Sequence, residues 1–153
     1  MNTEKQIFQS VALVLRTIDN KNQMLLRRQP GLHQWNFVAG ERLNRESFRE
    51  SITREVAWQL NLNRKSDFLV SSMAQLSMEF WDTQPDGSQQ HIAVAFYNVH
   101  IYRSIILKAL SKDESNRWVT AAEVCQGETL DGQIIDPRVV NWINKWNVVQ
   151  PWQ

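Results

Sequence analysis

The amino-acid sequence predicts an α/β (α+β) sandwich in which a mixed β-sheet is flanked by helices. Segments rich in β-branched and aromatic residues, which are typical of strands, occur on both sides of a segment whose apolar residues recur every four positions. Turn-forming residues separate the strand-like segments, and a second helical pattern closes the chain. Because 153 residues are enough for one domain with its own core, we expect a single domain over residues 1–153.

The first part of the chain is predicted to form two strands and a short extended segment. Residues 8–16 are rich in Val and Leu and lead into a polar cluster at 19–22, as expected for a strand followed by a turn. Residues 24–27 form the returning strand. A Pro-Gly pair then interrupts the chain, and residues 35–38 continue as a short extended segment.

The central segment, residues 44–60, is predicted to be an α-helix. Its apolar residues are four positions apart, which places them on one side of a helix: Phe48, Ile52, Val56 and Leu60. Asn44 is the expected N-cap, since its side chain can accept a hydrogen bond from the first turn. Asn61 is expected to take the left-handed conformation with which many helices end.

The second half is predicted to contain a β-hairpin, a short strand and two helical segments. The hairpin consists of residues 68–81 and 91–102, joined by turn-forming residues at 85–88. A later Asp-Pro pair places a capping carboxylate before a proline, which is a common helix start. The remaining predicted elements are a strand at 117–119, a helical turn at 121–124 and a final helix from 137 to about 146.

The composition limits the classes of partner. The formal net charge is +1, from 17 basic and 16 acidic residues, so no global field attracts nucleic acid or an anionic membrane. The single Cys125 forms no internal disulfide, and the N-terminal segment has no secretory-signal pattern. The apolar stretch at 11–15 is far shorter than the roughly 20 residues that span a bilayer. We therefore expect a soluble, cytoplasmic protein that binds neither nucleic acid nor membrane.

A motif of unusual specificity lies between residues 40 and 62, GERLNRESFRESITREVAWQLNL, and it resembles the Nudix box. That box reads glycine, five residues, glutamate, seven residues, Arg-Glu, an aliphatic residue, any residue, Glu-Glu, any residue, glycine and an aliphatic residue. Trp58 and Gln59 replace the paired glutamates, and Asn61 replaces the last glycine. The positions in register are Gly40, Glu46, Arg54, Glu55, Val56 and Leu62.

Two further segments extend the resemblance beyond the box. Residues 23–40 are similar to the family's approach to the box, a strand ending in arginines, a loop, a tryptophan and a short strand into glycine. Residues 114–123 resemble the late segment in which an acidic residue precedes a Trp-containing strand and a short helix. The chain thus resembles the Nudix (MutT-like) hydrolase superfamily with a degenerate box, and the resemblance implies a Nudix-type sandwich.

The resemblance implies a site for splitting a diphosphate linkage with Mg²⁺ or Mn²⁺, ions that prefer oxygen ligands. Helix positions 55, 58 and 59 share one side, so the family's three carboxylates would point into one site. Here only Glu55 remains acidic, and the implied metal ligands are the backbone near Gly40, Glu55 and the uncharged Gln59. Glu55, Arg54 and Glu46 are the implied catalytic residues, with Glu55 as the base or metal ligand. Because two charges are lost, we expect poor metal binding or none.

Other residues are weaker candidates. Arg27, Trp35, Trp81 and Glu114 are the candidates for substrate binding, the tryptophans by stacking on a nucleobase, although packing is the commoner role of such rings. Asp113 or Glu114 stands where many members of the family place a late acidic ligand or base. For Trp58 two roles remain open, which are packing against its neighbours and filling the former metal site.

Two functions follow from the resemblance, and both stay open at this point. The first is a diverged hydrolase of a nucleoside diphosphate linked to another group, with conventional Mg²⁺-dependent activity reduced or lost. The second is a domain without catalysis that binds a nucleotide-like ligand or a protein partner. The sequence therefore does not decide whether the chain is an enzyme. A nucleotide-like small molecule is the expected partner, and a homodimer is a further option.

Overall fold

The computed structural model describes residues 5–148. Over these residues the chain forms a mixed sheet of seven strands and four helices, so the predicted fold class is confirmed. In chain order the elements are β1 (Lys5–Ile18), β2 (Lys21–Arg27), β3 (Val38–Glu41), α1 (Phe48–Gln59), β4 (Phe68–Val70), β5 (Leu76–Thr83), β6 (Gln89–Ile101), α2 (Ser104–Lys112), β7 (Asn116–Thr120), α3 (Ala121–Gln126) and α4 (Pro137–Asn144).

The long strand β1 organises the sheet. It pairs in parallel with β6 and antiparallel with both β2 and β3. β7 extends the sheet beyond β2, while β4 and β5 both pair with β6. The turn between β1 and β2 places Asp19 and Asn20 at φ values of 51° and 62°, the two left-handed residues that a tight hairpin turn requires.

The predicted hairpin is present as β5 and β6, but the segment at 68–81 is two strands. Val70 pairs with Val99 and Leu76 pairs with Phe96, so six positions along the first segment match three along β6. The surplus residues between β4 and β5 leave the ladder as a bulge larger than the usual single extra residue. Alternating composition does not reveal such a bulge, because the residues on either side of it still look like strand.

Helix α1 begins later than predicted. Its N-cap is Ser47, whose hydroxyl accepts a hydrogen bond from the backbone N–H of Glu50 at 3.0 Å. Asn44 is therefore not the cap; it lies in the turn before the helix, where Arg45 has a φ of 69°. Asn61 has a φ of 53°, which confirms the left-handed helix end.

Helix α2 was not predicted from the sequence. Its N-cap position is Arg103, whose side chain makes no capping hydrogen bond, so the helix has no start signal of the usual kind. The predicted closing elements are confirmed. α3 begins with a capping box formed by Thr120 and Glu123, and α4 begins at Pro137 with Asp136 as its N-cap.

The core has two layers, one on each face of the sheet. Along β1, Val11 and Leu13 belong to one cluster and Ala12 and Val14 to the other, as the alternation of side chains in a strand requires. The first layer includes α4. In the second layer, α1 packs against the sheet through the buried residues Ile52, Val56 and Leu60 and the half-buried Phe48. None of the helices within residues 5–148 is long and apolar enough to cross a membrane.

Candidate functional site

The site begins where Gly40 of β3 meets Glu55 of α1. A Cβ atom added to Gly40 would lie 2.5 Å from Cδ of Glu55, well inside van der Waals contact. The absence of a side chain at position 40 therefore lets the carboxylate pack directly on the strand. The side chain of Glu55 is 13% exposed, so its surroundings decide how it behaves.

Arg54 binds two carboxylates at once. Its guanidinium donates to Glu46 at 2.9 and 3.1 Å and to Oε1 of Glu55 at 2.7 Å. It also reaches the backbone carbonyl of Glu41 at 3.2 Å. The hydrogen bond from Arg54, helped by the backbone N–H of Leu43, lowers the pKa of Glu46, and the same bond to Glu46 raises the pKa of Arg54. One oxygen of Glu55 is thus already held by a cation of the protein itself.

Gln59 holds the second oxygen. Its side-chain nitrogen Nε2 donates to Oε2 of Glu55 at 2.7 Å and to the backbone carbonyl of Ala39 at 2.9 Å. Because both partners are acceptors, the amide must present its NH₂ group to them. The nitrogen of Gln59 therefore faces the carboxylate and the strand, whereas a metal ligand would have to present the side-chain oxygen.

These contacts bear on the divalent cation that the resemblance implies. Mg²⁺ needs oxygen ligands that are free to turn their lone pairs toward it. Here both oxygens of Glu55 and the carbonyl of Ala39 accept hydrogen bonds from Arg54 and Gln59. Between residues 5 and 148, no group of three His, Cys, Asp or Glu side chains is arranged to hold a metal ion. The residues present do not fit a divalent cation unless Gln59 moves away.

Trp58 occupies neither of the places expected for it. Its side chain is 77% exposed, so it neither packs into the protein nor fills the space beside Glu55. The reason is its place on the helix: Trp58 follows Val56 by two positions and therefore lies on a different side of α1 from that buried residue. Its ring lines a cavity of about 430 Å³ together with Arg27, Gln29, Pro30 and Gln59.

A second cavity of about 160 Å³ shares Arg27, Gln29 and Gln59 with the first. We call the two together the amide cleft, because five of the twelve residues around the second cavity carry a side-chain amide. These residues come from β1, β2, the segment before β3, β3 itself, α1, and α4 with its N-cap: Gln9, Arg27, Gln29, Leu32, Gln34, Asn36, Phe37, Ala39, Gln59, Asp136, Arg138 and Trp142.

Arg27 is the anchored cation of the amide cleft. Its Nη1 donates to Oδ1 of Asn116 at 2.7 Å and to Oδ2 of Asp113 at 3.2 Å, and its side chain is 18% exposed. The backbone N–H of Ser115 and, to a smaller extent, Arg27 lower the pKa of Asp113. The late acidic residue thus acts on the cleft through Arg27, whereas Glu114 is exposed and does not line either cavity.

Comparisons with known proteins bear on the fold. No protein-family model matches the chain, and the search of curated proteins gives no significant match. Solved structures do match. The C. elegans Ap4A hydrolase aligns with a TM-score of 0.53 and 12% identity, over 78% of this chain and 84% of that one. The M. smegmatis Nudix hydrolase RenU aligns with a TM-score of 0.54 and 15% identity, over 92% and 84% of the two chains. The chain has the Nudix fold.

The S. oneidensis protein NrtR shares this Nudix fold. Its Nudix domain, in complex with ADP ribose, aligns with a TM-score of 0.51 and 14% identity, over 84% of this chain and 82% of that one. In the NrtR structure with a 27mer DNA, the TM-score is 0.58 at 14% identity, over 82% of this chain. The present chain matches 56% of that longer NrtR chain, so it spans about half of it.

Within the Nudix fold, the predicted substrate-binding residues are not together. Of the four candidates, only Arg27 lines the amide cleft. Trp35 is 2% exposed and donates from Nε1 to Gln133 at 2.7 Å, so its ring is part of the core. Trp81 is 53% exposed, packs against His91 with ring centroids 4.9 Å apart, and does not line either cavity.

Other residues of the cleft escaped the sequence analysis. Asp136 was recognised only as a helix cap, yet its Oδ2 also accepts from Nδ2 of Asn36 at 2.7 Å at the cleft wall. Arg138, two positions later, is held by an ion pair with Asp82 of β5. The one available signal was the Asp-Pro helix start, because the Nudix fold brings the N-terminus of α4 to the cleft and no local pattern encodes that approach.

Proposed function

We propose that this Nudix-fold chain binds a nucleotide-like ligand with a diphosphate group in the amide cleft, and that conventional Mg²⁺-dependent hydrolysis is reduced or lost. One observation carries the proposal. The three oxygens that converge beside Gly40, two from Glu55 and one from Ala39, already accept hydrogen bonds from Arg54 and Gln59. A cation would have to displace at least one of these donors before it could activate water.

The cleft offers the contacts that a diphosphate ligand needs. Arg27 presents a guanidinium whose donors suit phosphate oxygens, and its bonds to Asn116 and Asp113 hold it in place. The amides around the cleft provide both donors and acceptors for ribose hydroxyl groups. The Nudix domain of NrtR, which shares the fold, has been crystallised with ADP ribose, a ligand of this chemical class.

The exposed Trp58 offers an aromatic ring on which the base of a nucleotide-like ligand can stack. It stands beside Pro30 at the wall of the larger cavity, with Arg27 on the same cavity. A base stacked on an aromatic side chain gains roughly 1–3 kcal/mol. We therefore propose an arrangement in which the base stacks on Trp58 and the diphosphate meets Arg27, without a metal ion between them.

The first experiment is a ligand panel in the presence of EDTA, then of Mg²⁺, then of Mn²⁺. ADP ribose, Ap4A and related nucleoside diphosphates would be measured by calorimetry and by thermal shift, and the products would be followed by chromatography. Binding in EDTA without turnover in any condition supports the proposal. Metal-dependent turnover at the rate of an ordinary enzyme would overturn it in favour of the hydrolase, and neither binding nor turnover would favour a protein-interaction domain.

A matched pair of variants locates the ligand. Arg27→Gln removes the charge in the cleft, and we expect binding to weaken about tenfold or more, because a hydrogen bond to a charged group contributes about 1.5–3 kcal/mol. Arg28→Gln removes the same charge from the neighbouring residue, whose guanidinium lies over the Trp35 ring at 4.8 Å and which does not line the cleft. Equal losses in the two variants would contradict the placement of the ligand.

A further inference from the structure

The Gln59 nitrogen is the point on which backbone and carboxylate oxygens converge. Oε2 of Glu55 lies 2.7 Å and the Ala39 carbonyl oxygen 2.9 Å from Nε2. Both oxygens carry negative charge, in full on the carboxylate and in part on the carbonyl. Without a positively polarised group between them they would repel each other in a poorly hydrated place, where electrostatic interactions are stronger than in water.

The positively polarised group between the two oxygens is the side-chain NH₂ of Gln59, which lies on α1 itself. Gln59 follows Glu55 by four positions, so the two side chains are neighbours on the same side of α1. Each of the two hydrogens of the amide NH₂ group can serve one of the two acceptors. Arg54 cannot do this, because its Nη1 binds the other carboxylate oxygen, Oε1, at 2.7 Å.

The close approach of helix and strand increases the need for the amide. Since Gly40 has no side chain, the carboxylate lies directly on β3, and a Cβ at this position would be 2.5 Å from Cδ of Glu55. The Glu55 side chain is 13% exposed and has little access to solvent that could hydrate both oxygens. Without the amide, Oε2 of Glu55 would have no donor within residues 5–148 while Arg54 still held Oε1, so the amide contributes to folding as well as to the site.

We propose that the Gln59 amide is a built-in, uncharged substitute for a divalent cation, and that it hides a latent cation site. It bridges the Ala39 carbonyl and Glu55 as a bound ion would bridge two oxygen ligands. The folded site is therefore complete without metal. Replacing the amide by a carboxylate removes the bridge, adds an oxygen ligand and turns the same place into a site for Mn²⁺ or Mg²⁺.

The test is the single substitution Gln59→Glu, with Mn²⁺ alone as the probe. In EDTA the variant should have a lower thermal midpoint than the parent, because two carboxylates then face each other across the carbonyl. Mn²⁺ should restore the midpoint, and calorimetry should show binding at least about tenfold tighter than to the parent, since the ion gains a second full charge. Adding Glu55→Gln to this variant should abolish the gain.

The matched control is Gln29→Glu. Gln29 lines the same two cavities as Gln59, so the substitution adds the same charge to the same cleft, but Gln29 makes no hydrogen bond with Glu55. This variant should respond to Mn²⁺ no more than the parent. An equal response in both variants would show that the charge of the cleft, and not the bridging position, decides binding, and would overturn the proposal.

Two measurements keep the test decisive if Gln59→Glu fails to fold. Gln59→Met keeps the length of the side chain and removes both donors; it should lower the thermal midpoint with no response to Mn²⁺, and a midpoint equal to the parent's would refute the bridge. In the parent, the side-chain NH₂ resonances of Gln59 should stay sharp when Mn²⁺ is added, because no ion binds beside them. Selective broadening of these resonances, lost in Glu55→Gln, would show a cation site already open and would end the proposal.

Discussion

Arg54 donates two parallel hydrogen bonds to Glu46, from Nε to Oε2 at 2.9 Å and from Nη2 to Oε1 at 3.1 Å. Glu46 lies in the turn that precedes α1, and its Oε1 also accepts from the backbone N–H of Leu43 at 2.9 Å. The pair therefore fastens the entry of the helix to the helix itself. It also orients the guanidinium so that its remaining nitrogen meets Glu55.

The Arg54–Glu46 pair makes stability depend on pH. Because Arg54 and the N–H of Leu43 lower the pKa of Glu46 in the folded state, the contribution of Glu46 is present above its usual pKa of 4.5 and is lost as pH falls through the lower folded value. Urea unfolding between about pH 6 and pH 3 should show this loss, and Glu46→Gln should have a shallower pH dependence there. Parallel curves for the two proteins would contradict the assignment.

Substitutions on the apolar side of α1 should lower the stability of the protein strongly. Ile52 is fully buried between the helix and the sheet, so Ile52→Ala should lower the free energy of unfolding by about 2–5 kcal/mol through lost burial and the remaining cavity. Glu50→Ala on the exposed side of the same helix should change it by no more than about 0.5 kcal/mol. Chemical denaturation of both variants measures the difference, and similar losses would mean that the helix does not pack as described.

Gly40 should be intolerant of even one carbon. In Gly40→Ala the new Cβ meets Glu55, and such overpacking typically costs about 1–3 kcal/mol. Shortening the partner in Gly40→Ala with Glu55→Ala should recover part of that loss, so a double-mutant cycle should give a coupling of about 0.5–3 kcal/mol. Strictly additive effects would show that the two residues do not contact each other.

Trp58 should affect ligand binding and leave stability alone. Trp58 is 77% exposed, so Trp58→Ala should change the free energy of unfolding by no more than about 0.5 kcal/mol. If the base of the ligand stacks there, the affinity for a ligand found in the panel should fall by roughly 1–3 kcal/mol. The control is Trp81→Ala, since Trp81 is 53% exposed and lies outside the cleft. Unchanged affinity in Trp58→Ala would exclude stacking on this ring.

The predictable part of the fold is the part that has a local hydrophobic period or a local signal for the start or end of an element. The apolar spacing of Ile52 and Val56 identified α1, and the Asp-Pro pair identified the start of α4. The cap of α1 was misplaced because Asn44 and Ser47 are both suitable caps, and only the turn stabilised by Glu46 decides between them. Helix α2 was missed because its first residue has no capping side chain before it.

The site was less predictable than the fold. The spacing of the motif placed Arg54 and Glu55 next to each other on α1, but it did not give the direction in which the Gln59 amide points. That direction depends on the Ala39 carbonyl, which lies 20 positions earlier in the chain and on another element. Likewise, Arg138 reaches the cleft because α4 packs there, and Asn36 because its backbone pairs with Arg27. Contacts of this kind arise from tertiary packing, and no window of neighbouring residues contains them.

The absence of a side chain at position 40 also shows that a residue of a sequence motif can be required by the fold, independently of the chemistry of a site. Glycine there is demanded by the carboxylate that lies against it, whether or not any ion is ever bound. Arg54 is likewise required by the turn that it closes. The fold alone is therefore sufficient to require Gly40 and Arg54, so the presence of these two residues is not by itself a sign of metal binding or catalysis.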